Sequence, residues 1–248
     1  MARIHCVIDV PVPHHDAAGA FWAQVLGWEL GPPWTGHPEL CSFLPPQGAT
    51  YVHLQEVGGP PGVHLDVESG DPGRTVGRAV ELGATMVGES DLWRTLRSPG
   101  GLPFCVVREV HHHNPEPMSW PGGHRSRLVQ VCIDSPAAVH DQEAEFWRAL
   151  LAGRWVSSSA SEFAGKWHDD AGSPLQLLFQ RLDEPAGPVR AHLDHGTDDL
   201  QREVHRILGL GAEDVGPGRG WHTLRDPAGL AFCVTANSPE QVRHRDIG

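Results

Sequence analysis

The sequence predicts an α+β fold: tandem strand–helix–three-strand half-units, two to a domain and two domains to the chain. Three observations predict it. The first is a repeat. Trp93-Arg-Thr-Leu-Arg-Ser-Pro-Gly-Gly-Leu-Pro-Phe-Cys-Val106 returns as Trp221-His-Thr-Leu-Arg-Asp-Pro-Ala-Gly-Leu-Ala-Phe-Cys-Val234, offset by 128 with ten of fourteen positions identical. His64-Leu65-Asp66 returns at the same offset as His192-Leu193-Asp194, and Leu82-Gly83-Ala84 as Leu210-Gly211-Ala212. Nearer the N-terminus the offset is 125, since Ile8-Asp9 returns as Ile133-Asp134 and Phe21-Trp22 as Phe146-Trp147. The second copy thus gained three residues between its first helix and its His-Leu-Asp strand. A repeat this long, in constant order, is a duplicated domain rather than a solenoid of short units. The second observation is an alternation of period-two runs with helical apolar stripes. The third is helix punctuation that brackets each stripe.

In chain order, Ile4 to Val10 alternates like a strand, with Ile4, Cys6 and Ile8 on one face and His5, Val7 and Asp9 on the other. Pro11 and Pro13 end it. Asp16 is the expected N-cap of a helix whose stripe is Ala18, Phe21, Trp22, Val25 and Leu26, stopping at Gly27. Three short strands are expected between Trp28 and Val57. Val63 to Val67 is a strand that turns Leu65 and Val67 one way and His64, Asp66 and Glu68 the other. Asp71-Pro72 is an N-cap followed by proline in the first turn, and Gly83 ends that helix. Strands near Thr85–Val87, Trp93–Arg97 and Pro103–Val110 close the copy. The second copy repeats the order: a strand over Leu128–Asp134, a helix starting at Ser135-Pro136, strands to Arg181, a strand at Ala191–Asp194, a helix from Asp198 or Asp199, and strands to Ala236. Domains are expected over 1–112 and 125–238, with a linker over 113–124 and a tail over 239–248. The His111-His112-His113 run reads as linker, because adjacent residues of a loop do not converge on an ion from rigid elements.

Composition narrows the function. A net charge of −12 repels phosphate backbones, so no nucleic-acid partner is expected. No apolar run is long enough to cross a membrane. Five cysteines without CxxC spacing, and no signal-peptide pattern at the start, lead us to expect free thiols and a cytoplasmic protein. Lys166 is the only lysine, and that Arg bias, with abundant Gly, Pro and Ala, points to a high-GC bacterial genome.

Phe21-Trp-Ala-Gln-Val-Leu-Gly-Trp28, His64-Leu-Asp66, Asp71 to Ala84, and Asp226 to Val234 with its copy from Ser98 resemble the vicinal oxygen chelate superfamily. That group holds glyoxalases, bleomycin-resistance proteins and extradiol dioxygenases, and the nearest likeness is to its glyoxalase-like members. The resemblance covers both domains. It implies that the half-units form curved mixed sheets, or cups, with helices on the outer face and the ligand inside. Metal-dependent members take ligands from the first, fourth, fifth and eighth strands. Carried over, the resemblance gives His5, Gln55 (or His53), His64 and Cys105 in copy one. Copy two offers Gln130, Gln180, His192 and Cys233. The eighth-strand carboxylate of such members is Cys in both copies, which shifts preference toward Zn²⁺, although Fe, Ni or Mn also remain open. In some relatives each cup joins halves of different domains, which would place His5 with His192 and Cys233.

Asp9, Gln55, Asp66, Trp93, Gln130, Gln180, Asp194 and Trp221 are the expected substrate-binding residues. Trp93 and Trp221 read either as an aromatic wall or, with Trp22 and Trp147, as core. Asp66 and Asp194 read either as partners of the neighbouring histidines or as ion pairs with Arg97 and Arg225. The reading favoured from sequence is a protein that binds a small organic molecule in a strand-lined cup, with or without an activity of its own. The alternative is a metal-dependent lyase, isomerase or dioxygenase acting on vicinal oxygens, with one divalent ion. Either a monomer or a homodimer fits, since fusing the domains supplies in one chain the pairing that single-domain relatives obtain by dimerising.

Overall fold

Each predicted half-unit forms, and its boundaries follow local chemistry. The computed structural model describes residues 3–110, 113–169 and 172–240. His111 and His112 of the histidine run, and the tail from 241, lie outside the described residues. In copy one the chain runs β1 (Ile4–Pro11), α1 (His15–Leu26), β2 (Glu29–Leu30), β3 (Leu40–Leu44), β4 (Val52–Val57), β5 (Gly62–Ser69), α2 (Pro72–Glu81), β6 (Thr85–Glu89), β7 (Trp93–Arg97) and β8 (Pro103–Arg108). A short β9 (Met118–Ser119) then leads into β10 (Arg125–Pro136). Copy two continues with α3 (His140–Leu150), β11 (Arg154–Ser157), β12 (Phe163–His168), β13 (Gln176–Leu182), β14 (Arg190–Thr197), α4 (Leu200–Gly209), β15 (Glu213–Pro217), β16 (Trp221–Arg225) and β17 (Ala231–Thr235).

Caps explain the helix starts. Asp71 accepts the Arg74 N–H at 3.1 Å, and its counterpart Asp199 accepts the Arg202 N–H at 3.1 Å. Two expected starts are corrected. α1 has His14 at its N-cap position, with no side-chain capping bond, after a 3-10 turn over Val12–His14, so Asp16 sits inside the first turn. There its charge still favours the helix dipole. Ser135-Pro136 remains on β10, and α3 begins four residues later, after a turn in which the Ala137 and Ala138 N–H groups donate to the Glu184 and Pro185 carbonyls and the Val139 N–H to that of Pro136. Gly27 ends α1 as expected, at φ 68°, a conformation that other residues resist. The three-residue insertion also finds its place. Four residues join β4 to β5, whereas seven join β13 to β14.

The strands make two open sheets, each built from a single copy. The order is β2-β3-β4-β1-β5-β8-β7-β6 in one and β11-β12-β13-β10-β14-β17-β16-β15 in the other, with β9 paired to β10. β5 and β14 run parallel to β8 and β17, while the outer pairs are antiparallel, so both sheets are mixed. By compactness the chain divides differently. One unit holds the described residues of Met1–Cys6, His64–His111 and Val131–Ala191, and a second holds those of Val7–Val63, His112–Gln130 and His192–Gly248.

In unit one, α3 lays Phe146 and Trp147 on Phe104 of β8, with ring centroids 5.9 and 5.1 Å apart. The buried Trp147 N–H donates to Glu143 at 2.7 Å, and Glu143 also accepts the Gly100 N–H at 2.9 Å. Burial pushes the Glu143 carboxyl up despite hydrogen bonds from Ser98, Trp147 and Gly100. Gly100 is required there, since a Cβ would lie 2.3 Å from Val189.

Unit two solves the same problem with other residues. Phe21 and Trp22 of α1 pack on Phe232 of β17 at 6.0 and 4.9 Å, and the Trp22 N–H donates to Asp226 at 2.9 Å. Unit two also contains a polar hub. The fully buried Glu203 of α4 accepts from His124 (2.7 Å), Ser126 (2.7 Å) and Arg206 (2.7 Å), and lies 3.0 Å from His195. Arg206 stacks on Trp120 and donates to the Gln24 and Val25 carbonyls that end α1. Residues expected as linker are therefore packed: Trp120 donates to Ser126 at 2.7 Å, and β9 pairs with β10.

Candidate functional site

The site begins with β5, whose alternation sends its two faces to different tasks. Leu65 is paired in register with Phe104, the residue under the α3 aromatics, while the next pair, Asp66 with Cys105, faces the opposite side. His64 shares that polar side. A ring nitrogen of His64, an Asp66 oxygen and the Cys105 Sγ lie within 4.8 Å of one another. Within that group His64 Nε2 is 3.8 Å from Asp66 Oδ1, and the Thr95 hydroxyl of β7 is 3.6 Å from the Cys105 sulfur. All three donors are buried. Burial pushes the Cys6 thiol of β1 up, and the negative charge of Asp66 adds to it.

Unit two builds the same set from copy two. His192, Asp194 and Cys233 bring their donor atoms within 4.8 Å, with His192 Nε2 3.4 Å from Asp194 Oδ1 and Thr223 3.6 Å from the Cys233 sulfur. The register pairs Asp194 with Cys233, as it pairs Asp66 with Cys105. The histidine–cysteine sets are thus same-copy ones, and the combination of His5 with His192 and Cys233 is not the one assembled. Neither histidine turns into the helix-packed layer.

The surroundings differ. His5 is not in the first donor group. Its Nε2 lies 3.0 Å from Glu68, a buried carboxylate two residues beyond Asp66 on the same face of β5. Copy two has Gln130 for His5 and Gly196 for Glu68. Gln130 instead donates its amide to Asp194 Oδ2. Asp9, His53 and Gln55 belong to unit two, whereas the first group belongs to unit one. In unit two His53 bonds the Ser42 hydroxyl at 2.9 Å and meets Trp34 edge-on at 5.3 Å. Gln180 is in unit one, where its carboxamide oxygen accepts from the Cys132 thiol at 3.6 Å, and Cys132 also lies 3.6 Å from Asp134.

Trp93 and Trp221 are half-buried rather than core, unlike Trp22 and Trp147. Trp93 pairs with Val107 and Trp221 with Thr235, each two residues from a donor cysteine, so both indoles occupy the face that carries the donors. Gly218 lies flat against Trp221, where a Cβ would come within 2.1 Å of the ring. Asp66 and Asp194 do not pair with Arg97 and Arg225. Arg97 donates to the Gly101 carbonyl, and Arg225 lies 3.7 Å from Glu213. Glu68, Thr95 and Thr223 are additions that the sequence reading did not select, although alternation along β5 had put Glu68 beside Asp66.

The donor chemistry fits a divalent transition ion. Imidazole, carboxylate and thiol converge in both units, and three protein ligands leave a position for a further ligand, the pattern of a reactive rather than a closed structural site. All five cysteines are free thiols, so neither donor sulfur is tied up in a disulfide. No helix among the described residues is long and apolar enough to cross a membrane.

The glyoxalase-like domain family matches residues 5–107 and 130–235. No curated protein sequence matches the chain. Among solved structures, the Mn(II)-bound glyoxalase of Novosphingobium aromaticivorans superposes with a TM-score of 0.68 at 19% identity, over 98% of this chain and 85% of that one. The halotolerant catechol dioxygenase BphC gives 0.61 at 12% identity, over 95% and 87%. A variant of homoprotocatechuate 2,3-dioxygenase from B. fuscum gives 0.61 at 15%, over 98% and 72%. At such identities the likeness is one of fold, whereas the family match spans most of both copies. The chain belongs to the glyoxalase-like domain family, within the vicinal oxygen chelate superfamily, and carries that domain twice.

Proposed function

We propose that the protein is a metal-dependent enzyme of the glyoxalase and extradiol dioxygenase kind, taking a small organic substrate with two adjacent oxygens into a strand-lined cup. The observation that carries this reading is the convergence of His64, Asp66 and Cys105. These three would hold the ion. Bound there, a divalent cation supplies Lewis-acid polarisation of a chelated oxygen pair. The chain's own groups do the rest. Thr95 orients the Cys105 sulfur. Trp93, half-buried on the same face, offers an apolar wall to a planar substrate. Glu68, 3.0 Å from the His5 ring nitrogen, keeps that first-strand imidazole oriented.

A second reading, capture of an organic ligand without metal, is favoured by one observation. His64 already faces Asp66, and this pair can bind a polar ligand by itself. A chromophoric catechol separates the two. Protein dialysed against chelator and then reloaded with Zn²⁺ is titrated with 4-nitrocatechol. The metal reading expects the visible band to move to that of the catecholate on the loaded protein, and the shift to be lost in His64→Ala. Equal binding to metal-free and loaded protein, with no such shift, would transfer the case to the metal-free binder.

A further inference from the structure

We propose that Ser42, His53 and Trp34 form a hydrolytic site that cleaves activated aryl esters of small carboxylic acids through an acyl-serine. The proposal goes beyond the metal reading and does not rest on it, since all three residues lie in unit two and none belongs to a donor group. The pairing of β3 with β4 sets Ser42 opposite His53, so both side chains stand on one face, and the Ser42 hydroxyl is 2.9 Å from His53 Nδ1. Trp34 reaches the same oxygen. Its indole N–H donates to Ser42 Oγ at 2.9 Å, and its ring meets the imidazole edge-on. An indole only donates, so the hydroxyl proton is left for Nδ1 when the imidazole carries its own proton on Nε2. A hydroxyl within reach of a buried imidazole, with a third group fixing the geometry, is the arrangement of an activated nucleophile. Ser42 and Trp34 are half-buried, so the hydroxyl is not sealed into the core.

Copy two shows that the fold does not need this trio. At the offset of 125, Leu178 stands where β4 has His53, and its partner in register is Lys166. The connection that carries Trp34 in copy one, residues 31–39, is replaced by Ser-Ser-Ala-Ser-Glu over 158–162. In copy one that connection is a tight turn. The Trp34 N–H donates to the Leu40 carbonyl, and the His37 N–H to the Trp34 carbonyl, which holds the indole on a defined backbone. The chemistry follows from these positions. Ser42 Oγ attacks the ester carbon while its proton passes to His53 Nδ1. An oxyanion then stands beside the indole, whose N–H moves its hydrogen bond from Oγ to that charge. Collapse breaks the bond to the aryl oxygen, which leaves as the phenol with the proton from His53. Water next adds to the acyl-serine and gives a proton to His53. That proton returns to Oγ as the carboxylic acid departs.

The test is hydrolysis of 4-nitrophenyl acetate by the full-length protein after dialysis against chelator, with the acetylated residue located by peptide mass spectrometry. The expected result is a burst of nitrophenolate near one equivalent, with the acetyl group on Ser42. Ser42→Ala should abolish both the burst and the adduct. His53→Gln should slow acylation about 100-fold. Trp34→Phe keeps the edge contact but removes the N–H, and should lower kcat about 100-fold with KM little changed. If Ser42→Ala does not fold, the adduct position in the parent protein and the Trp34→Phe rate decide. Equal rates in the parent and Ser42→Ala, acetyl groups only on other residues, or hydrolysis no faster than that by free imidazole would overturn the site. Hydrolysis that is lost with chelator and leaves Ser42 unmodified would overturn it too, and would leave the metal reading of unit one standing. Conversely, a Ser42 adduct in protein that gives no 4-nitrocatechol shift would keep this site and overturn that reading.

Discussion

The two donor groups use the same residues in different settings. His64, Asp66, Cys105 and Thr95 match His192, Asp194, Cys233 and Thr223 in identity and register. Their neighbours have diverged together: the His5–Glu68 contact of unit one gives way to Gln130 and Gly196. The anchoring of the core tryptophans shows a related exchange. Trp147 finds its acceptor on its own helix, in Glu143, whereas Trp22 finds it on a strand turn, in Asp226. The counterpart of Glu143 is Ala18, and that of Asp226 is Ser98. A buried indole N–H needs one acceptor, and either element can supply it. The chemistry a position must perform is held fixed in both copies, while the residue that supports it is interchangeable.

The largest expected effect tests how far the units differ outside the donor groups. Glu203→Ala strips the acceptor from Arg206, His124 and Ser126, and should cost about 3–5 kcal/mol in chemical denaturation. Thr75→Ala, at the matching position, removes only a 2.7 Å contact with Ser69 and should cost about 1 kcal/mol. Equal losses would mean that the hub adds nothing peculiar to unit two. Its pH dependence has a definite sign. Burial pushes the Glu203 carboxyl up, but Arg206 and His195 outweigh it and hold the group well below its ordinary 4.5. Its stabilisation is therefore complete above that value and fades as the pH falls below it, so the difference in Tm between the parent protein and Glu203→Gln should shrink in acid.

Next comes Gly196→Glu, which asks whether unit two can accept the missing carboxylate. A Cβ there would sit 2.8 Å from the Asn237 carbonyl and from Val129, so the substitution should lower stability by about 1–3 kcal/mol. An unchanged melting temperature would show that unit two has room for a pair like His5–Glu68. Gln130→Ala should weaken Co²⁺ binding at the second donor group about 10- to 100-fold and leave the first unchanged. Uniform weakening of both groups, read in the same titration, would blur the distinction between them. The smallest effect is a control for likeness. Asp71→Ala and Asp199→Ala remove equivalent caps and should each cost about 1 kcal/mol in urea unfolding. A marked inequality would show that α2 and α4 are not equivalent after all.

Much of this protein is determined by the chain's own local chemistry. The repeat, the strand–helix–three-strand order, and the Asp71 and Asp199 caps depend on residues a few positions apart, and the structure has them where alternation and capping place them. Alternation along β5 also put His64, Asp66 and Glu68 on one face before any coordinates. It failed where distant groups intervened: Ala137 and Ala138 pair with the Glu184 and Pro185 carbonyls in a turn before α3, and packing around Trp120 and Glu203 orders a segment that reads as linker. Only tertiary structure decided that Asp66 joins His64 and Cys105 while His5 turns to Glu68, and that Gln130 holds Asp194 rather than taking a histidine's place. Those choices are made between strands far apart in the chain. They depend on register and on which buried charge finds a partner, and neither is encoded by the spacing of residues within a strand.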